Sequence, residues 1–209
     1  MSEQENMNQV SKKGRFSQMI SGTAGIFIIE ALKILVLAGI TIFLVRYYLF
    51  KPFYVKGASM EPNFFTQEYL IIDELTYRFH PPERGEVIVF KYPEDPKQYF
   101  LKRIIGLPGE RIKITDGKVI VYNDEHPEGV TIDESYLPSD WPTMGEKNTT
   151  LKSDEYFVLG DNRPNSYDSR RFGPIKKEAI VGRVIFRGWP FNRVQTFKTP
   201  EFKGLENLK

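Results

Sequence analysis

Residues 99–122 read YFLKRIIGLPGERIKITDGKVIVY, and this stretch decides the fold class. It contains three short runs rich in Ile, Val, Tyr and Phe, at residues 99–105, 111–114 and 118–122. Runs of this length and composition, bounded by Gly and Pro, are typical of β-strands. Asp116 and Gly117 stand between the last two runs and predict a tight hairpin turn. The stretch therefore predicts antiparallel β-structure.

The same pattern extends to both sides of this stretch. Further β-prone runs lie at residues 69–72, 86–90, 156–159 and 179–186. Short strands with turn residues between them and little helical periodicity predict an all-β domain of mainly antiparallel sheets, as a sandwich or a partly open barrel. Residues 123–154 are poorer in such runs and rich in Pro, Glu, Asp, Ser and Thr, which predicts an insertion or a long loop on the β core.

An apolar segment precedes the β-rich part. Residues 34–45 carry no charge, and the segment extends to Phe50, close to the lower limit of about 17 residues for a membrane-spanning helix. We place Glu30 and Lys33 at the interface, because a charge inside the bilayer costs about 2.5–3.5 kcal/mol on insertion scales. The sequence predicts that the helix ends around Phe50, before Pro52.

The apolar segment has two possible roles, an uncleaved anchor and a cleavable secretory signal. Residues 46–50, RYYLF, offer no cleavage site of the small-x-small type after it, which favours the anchor. The basic residues near its two ends slightly favour a cytoplasmic N-terminus. We therefore expect a polar cytoplasmic tail at residues 1–22, a single-pass anchor region at 23–50, and a β domain at 51–209 on the outer face of the membrane.

The composition limits the chemistry. The 209 residues suffice for one domain and an anchor, and a net charge of +2 without a concentrated basic patch argues against a nucleic-acid partner. The chain contains no cysteine, which excludes disulfides, thiolate catalysis and cysteine-bound metals. With His80 and His126 as the only histidines, the usual pairs of nucleophile and base have few residues to draw on.

Ser59 is the first candidate for a catalytic residue. It lies in the run Gly57-Ala58-Ser59-Met60-Glu61-Pro62, where small residues before the hydroxyl would let a substrate backbone approach. The Ser59 backbone N–H could then face a developing oxyanion. A serine taken alone is far more often an ordinary surface residue.

Lys102 is the second candidate. It lies among apolar neighbours in the strand predicted at residues 99–105, so the two-residue period places Lys102 and Arg103 on opposite faces. A lysine that faces inward is desolvated, and desolvation lowers its pKa toward the range that a general base needs at neutral pH. The alternative is a lysine that extends to solvent from a strand edge.

A third cluster of polar residues occupies positions 160–170, GDNRPNSYDSR. Most of these side chains are expected to cap turns and to form Asp–Arg pairs. One hydroxyl of this loop could orient the lysine amine as a third group.

Four ordered segments carry a resemblance to a known family. Ser59-Met60-Glu61-Pro62 resembles the nucleophile motif of type I signal peptidases, and residues 84–90, RGEVIVF, resemble their next conserved strand. Residues 102–109, KRIIGLPG, resemble the lysine motif, and residues 160–170 resemble the last one. The resemblance covers about residues 44–191, and it implies the family's mainly antiparallel catalytic core behind one transmembrane helix.

The resemblance implies that Ser59 is the nucleophile, Lys102 the general base and Ser166 the hydroxyl that orients the lysine. It implies structural roles near the site for Arg103, Asp161, Arg163, Asp168 and Arg170. It implies substrate contacts for Phe53, Val55, Gly57, Met60, Phe64, Phe100 and Leu101. Gly57 replaces a serine that helps to bind the oxyanion in some members, as in many Gram-positive enzymes, and Asn63, Lys51 and Pro164 also depart from frequent family residues.

The function implied is a membrane-bound serine endopeptidase, without metal or cofactor, that removes signal peptides from secretory preproteins after small-x-small sites. Its expected partners are these preproteins and the lipid bilayer, and its expected host is a Gram-positive bacterium. Two alternatives stay open at this point: a self-cleaving serine-lysine protease of the repressor type, and a catalytically silent β-domain that only binds exported chains.

Overall fold

The computed structural model describes residues 23–48, 50–199, 202 and 205. Contacts within the chain divide it into two compact units, with the boundary between Tyr47 and Tyr48. The predicted polar tail, residues 1–22, lies outside the described residues.

The described part of the first unit is helix α1, which spans Thr23–Tyr48 and ends on the first residue of the second unit. Its segment Gly25–Phe43 is long and apolar enough to cross a membrane, with a mean hydropathy of 2.4. This segment lies within the predicted anchor region at residues 23–50, and it includes Glu30 and Lys33, which we expect at the interface. The two side chains form an ion pair one turn apart, with Lys33 Nζ 2.8 Å from Glu30 Oε1. Pairing of this kind is how charged side chains are tolerated near a bilayer.

The sequence predicts that the helix ends around Phe50, before Pro52, and the observed end lies two residues earlier. Helix α1 ends at Tyr48, and strand β1, which the sequence did not predict, covers Phe50–Tyr54. Pro52 lies inside β1, which is possible because β1 is an edge strand whose one partner among the described residues is strand β2 (Tyr69–Asp73). Proline has no backbone N–H to donate to a neighbouring strand, so it is tolerated on an edge strand, where this position can face away from the partner.

The described residues of the second unit form two antiparallel sheets, which confirms the predicted fold class. The larger sheet has eight strands in the order β1-β2-β11-β3-β4-β9-β10, with β12 paired to β11. Its remaining strands are β2 (Tyr69–Asp73), β3 (Val87–Tyr92), β4 (Asp95–Gly106), β9 (Glu155–Leu159), β10 (Ile175–Lys176), β11 (Ile180–Trp189) and β12 (Gln195–Thr196). A short helix α2 (Ser169–Phe172) precedes β10.

The smaller sheet has the order β7-β6-β5-β8. It contains β5 (Arg111–Thr115), β6 (Lys118–Tyr122), β7 (Val130–Thr131) and β8 (Lys147–Thr150). The predicted hairpin between β5 and β6 is present, with positive φ angles of 50° at Asp116 and 74° at Gly117. Two consecutive positive φ angles are typical of a type I′ turn, which favours Asp-Gly. The segment predicted as an insertion thus supplies two edge strands of this sheet.

Three buried clusters hold the β unit together. The first joins the two sheets through residues such as Ile105, Ile112 and Phe157. The second fills the space around β1, β2 and β11, and it includes Met60 and Phe64. The third lies on the other side of β3 and β4. Burial of such apolar surface, at about 25 cal/mol per Å², is the main force that fixes the strands carrying the polar side chains described next.

Candidate active site

Ser59 and Lys102 are in direct contact. Lys102 Nζ lies 2.7 Å from Ser59 Oγ and 2.9 Å from the carbonyl oxygen of Leu101. Ser59 lies in the turn that follows β1, whereas Lys102 lies within β4, so the tertiary fold alone brings them together. The distance is that of a good hydrogen bond between an amine and a hydroxyl.

The amine of Lys102 is removed from solvent. The side chain is 3% exposed, and burial lowers its pKa from 10.5 to about 8, against the opposing effect of the carboxylates of Asp168 and Asp161. Lys102 Nζ also lies 5.5 Å from the centre of the Phe100 ring. About half of the amine is therefore neutral at a pH of about 8, whereas an ordinary lysine would be almost fully protonated there.

The turn that carries Ser59 is fastened to the loop at residues 160–170. The Asn162 backbone N–H donates to the Ser59 carbonyl oxygen at 3.0 Å, and the Asn162 amide Nδ2 donates to the Ala58 carbonyl oxygen at 3.0 Å. Asn162 is buried. Two hydrogen bonds from one residue thus hold the backbone on which the Ser59 hydroxyl is mounted.

Gly160 allows Ser59 and Ser166 to approach the same point. A Cβ atom at position 160 would lie 2.1 Å from Ser166 Oγ and 2.5 Å from the Ser59 carbonyl oxygen. The Ser166 hydroxyl is buried and forms no hydrogen bond of good geometry among the described residues, although its proximity helps to lower the pKa of Asp168. The structure thus places Ser166 beside the Ser59 turn, but it shows no hydrogen bond from Ser166 to Lys102.

Asp168 organises the end of this loop. Its carboxylate caps helix α2, accepts from the Gly160 N–H at 3.1 Å, and accepts from the Arg170 guanidinium at 2.8 Å. Although burial alone would raise it, the pKa of Asp168 is lowered by its hydrogen bonds and by Arg170. The Asp168 carboxylate is thus charged and accepts several hydrogen bonds, which hold the loop in one conformation.

Arg103 and Asp161 form a second ion pair, and both of its side chains are buried. Arg103 donates two hydrogen bonds to Asp161, at 2.9 and 2.6 Å, and a third to the carbonyl oxygen of Gly85 at 2.8 Å. Asp161 also accepts from Asn63 Nδ2 at 2.9 Å. As the strand period predicts, Arg103 turns away from the face on which Lys102 meets Ser59. The pair joins the lysine strand to the loop at residues 160–170.

Arg163 is 1% exposed and is held by side chains of the predicted insertion. Its guanidinium contacts the Glu134 carboxylate at 2.5 Å, the Tyr136 hydroxyl at 3.0 Å and the Thr143 hydroxyl. The insertion therefore reaches the active-site loop, which the sequence alone did not indicate.

The seven residues that the family resemblance implies as substrate contacts fall into three groups. Val55, Met60 and Phe64 are buried, and Phe53 and Leu101 pack against them in the same cluster. Phe100 belongs to the neighbouring cluster and stacks on Tyr92, with ring centres 4.6 Å apart. Gly57 is exposed. The apolar residues thus line both sides of the strand that carries Lys102.

Strand β4 has an unpaired edge next to Lys102. Leu101 and the preceding residues pair with β3 on one side, whereas β9 pairs with β4 only from Arg103 onward. Within the described residues, the part of β4 before Lys102 therefore has no strand on the side opposite β3. Such an edge can accept an extended peptide as an added strand.

Asn162, Gly160 and Tyr136 are contact residues of the site that sequence reasoning did not single out. The first two lie in the recognised loop, where close approach to the serine turn is a property of the tertiary structure. Across residues 23–48, 50–199, 202 and 205, no group of three His, Asp or Glu side chains is arranged to hold a metal ion.

Comparisons with known proteins agree on one family. The family model described as signal peptidase, peptidase S26, matches residues 28–189. The chain belongs to the signal peptidase family. Signal peptidase I from Leptolyngbya laminosa is 35% identical over 182 residues, which are 83% of this chain and 85% of that protein. Signal peptidase IB from Staphylococcus aureus (strain COL) is 31% identical over 185 residues, which are 83% of this chain and 96% of that protein.

Another member of the signal peptidase family has a solved structure. The crystal structure of a signal peptidase I from Enterococcus faecalis V583 is 31% identical in sequence, covers 50% of this chain and 97% of its own, and superposes with a TM-score of 0.42. Membership of peptidase family S26 makes this signal peptidase a hydrolase that acts on peptide bonds.

Proposed function

We propose that this protein is a membrane-anchored serine endopeptidase that removes signal peptides with Ser59 as nucleophile and Lys102 as general base. The observation that carries the proposal is the 2.7 Å contact between Lys102 Nζ and Ser59 Oγ, made by a lysine that is buried. A serine is a weak nucleophile unless a neighbouring base takes its proton. Here the buried amine occupies the position that this base needs.

The reaction proceeds in two steps. Neutral Lys102 accepts the Ser59 proton as Ser59 Oγ attacks the scissile carbonyl carbon, and protonated Lys102 then returns a proton to the departing amine of the mature protein. In the second step Lys102 deprotonates a water molecule that attacks the ester at Ser59 and releases the signal peptide. The Ser59 backbone N–H is suited to donate to the oxyanion in both steps.

The substrate is proposed to bind as an extended strand along the unpaired edge before Lys102. Main-chain hydrogen bonds would supply affinity, and side-chain pockets would supply specificity. Phe53, Val55 and Leu101 offer apolar contacts close to this edge, and shallow pockets there would accept small residues at the first and third positions before the cut. The small-x-small specificity is part of the proposal, and it rests on the family resemblance.

Helix α1 is proposed to anchor the enzyme in the cell membrane, with the N-terminus in the cytoplasm and the β unit outside. The proposal rests on the apolar segment Gly25–Phe43 and on the family. An anchor of this kind confines enzyme and substrate to one membrane, which raises their effective concentration. The Gram-positive host stays a prediction.

The proposed function is tested with the full-length protein in detergent. A preprotein with an Ala-x-Ala site is incubated with the enzyme, and the products are mapped by mass spectrometry. One cut after the second alanine is expected, and a preprotein with bulky residues at both alanine positions should stay intact. Equal cleavage of the two preproteins would contradict the proposed specificity.

The activity should depend on pH through Lys102. Because protonation removes the base and the pKa of Lys102 is about 8, kcat/KM should fall about tenfold for each pH unit below that value and level off above it. Initial rates of preprotein cleavage from pH 5 to 9.5 measure this fall of kcat/KM, the acid limb of the pH–rate profile. A flat profile between pH 5 and 9 would contradict a lysine base.

A further inference from the structure

Tyr136 belongs to the segment between β7 and β8, yet it contacts three parts of the active site. Its backbone carbonyl oxygen accepts from Asn63 Nδ2 at 3.1 Å. Its ring lies against the guanidinium of Arg103, 4.4 Å from the ring centre, and its hydroxyl accepts from Arg163 Nη2 at 3.0 Å. One residue of the insertion therefore uses its backbone, its ring and its hydroxyl for three different partners.

Each partner lies close in sequence to a residue of the proposed catalytic machinery. Asn63 is in the turn that begins at Ser59, and Arg103 follows Lys102 directly. Arg163 begins the short helical turn Arg163–Asn165, which is followed directly by Ser166. The three segments come from distant parts of the chain. A residue that touches all of them can fix their relative positions.

The contacts of Tyr136 form a closed network with Asp161. Asn63 Nδ2 donates both to the Tyr136 carbonyl oxygen and to Asp161 Oδ2, and Arg103 bonds to both oxygens of Asp161. On the other side, the Tyr136 hydroxyl lies 3.4 Å from Glu134 Oε1, and Glu134 is ion-paired with Arg163. Burial raises the pKa of Tyr136, so its hydroxyl stays protonated at the pH of the reaction.

We propose that Tyr136 is a positioning residue for signal peptide cleavage, which holds the segments of Ser59, Lys102 and Ser166 in register through Asn63, Arg103 and Arg163. The proposal rests on the proposed function of Ser59 and Lys102. It assigns a role in catalysis to the insertion at residues 123–154, which no motif of the sequence indicates.

The network also connects Tyr136 to the electrostatics of the lysine. The negative charges of Asp168 and Asp161 favour the protonated form of Lys102 and so raise its pKa, against the effect of burial. Arg103 offsets the charge of Asp161, and Arg170 offsets that of Asp168. If the Tyr136 ring is removed and Arg103 loosens, Asp161 is less well neutralised and the pKa of Lys102 rises. The acid limb of the rate profile then moves to higher pH.

The test compares Tyr136→Phe and Tyr136→Leu in the full-length protein. The first variant keeps the ring against Arg103 and removes only the hydroxyl, whereas the second removes both. We expect kcat to fall about tenfold for Tyr136→Phe and about a hundredfold for Tyr136→Leu, with a smaller change in KM, because small displacements of reacting groups cost this much. Only Tyr136→Leu should move the acid limb to higher pH.

Tyr122→Leu is the matched control. The Tyr122 ring also lies against an arginine, with Arg111 Cζ 3.7 Å from the ring centre, but this pair belongs to the smaller sheet. Rates are measured per folded enzyme, with the thermal midpoint of each variant recorded. The proposal is overturned if Tyr136→Leu keeps the kcat and the acid limb of the wild type, or behaves like Tyr122→Leu when both are equally destabilised. Full activity of Ser59→Ala would instead overturn the proposed function, whatever Tyr136 does.

Discussion

Replacing Lys102 by methionine should lower the rate of preprotein cleavage by about 10⁴-fold or more, and Ser59→Ala should do the same. Methionine fills much of the volume of the lysine chain but has no group that can take the Ser59 proton. Without that base the hydroxyl is almost entirely unreactive near neutral pH. The double variant should be no slower than either single one, because the two side chains act as a unit.

Lys97→Met is the control for this substitution. Lys97 lies on the same strand β4, but its side chain is exposed. Its replacement should change kcat by less than about twofold, as is usual for a surface position. If Lys102→Met cleaves the preprotein at the wild-type rate, Lys102 is not the general base. If Ser59→Ala does so, Ser59 is not the nucleophile.

Gly160→Ala should cause the second largest loss of cleavage rate. The added methyl group would overlap with Ser166 Oγ and with the Ser59 carbonyl oxygen, so the serine turn and the loop must separate. Displacement of the nucleophile by about 1 Å can cost about a hundredfold in rate, and overpacking of a well-packed region costs about 1–3 kcal/mol of stability. Steady-state kinetics and thermal unfolding measure the two effects.

Gly188→Ala serves as the comparison for Gly160→Ala. A Cβ atom at position 188 meets only the ring of Phe186, at 3.3 Å, and this ring can move. Gly188→Ala should therefore keep its activity. If Gly160→Ala also keeps full activity, the close packing of the loop on the serine turn is not needed for catalysis.

Local sequence patterns were sufficient for the central strands. Strand β6 begins and ends where the composition predicts, at Lys118 and Tyr122, because the run KVIVY is rich in β-branched and aromatic residues and Asp116-Gly117 specifies the turn before it. The two-residue period also separates Lys102 from Arg103 correctly. Both results depend on interactions between neighbours in sequence, which a single sequence shows directly.

The sequence was less informative where the structure depends on distant partners. Strand β1 has a proline and lies next to an apolar helix, so only its pairing with β2 reveals it as a strand. Tyr136 lies in a segment without regular periodicity, and its contacts with Arg103 and Arg163 exist only after the two sheets have packed. Family resemblance identified the loop at residues 160–170, but it did not indicate that Asn162 holds the turn of Ser59 through two hydrogen bonds.

Detection of the acyl-enzyme tests the central claim most directly. The full-length enzyme is mixed with excess short substrate, quenched in acid within the first turnover, and digested with trypsin. Trypsin releases the peptide 57–78, in which Ser59 is the only serine. The account predicts that the acyl part of the substrate is attached to this peptide at Ser59 and that Ser59→Ala shows neither the adduct nor a burst of product. An adduct on another peptide, or an undiminished burst in Ser59→Ala, would contradict it.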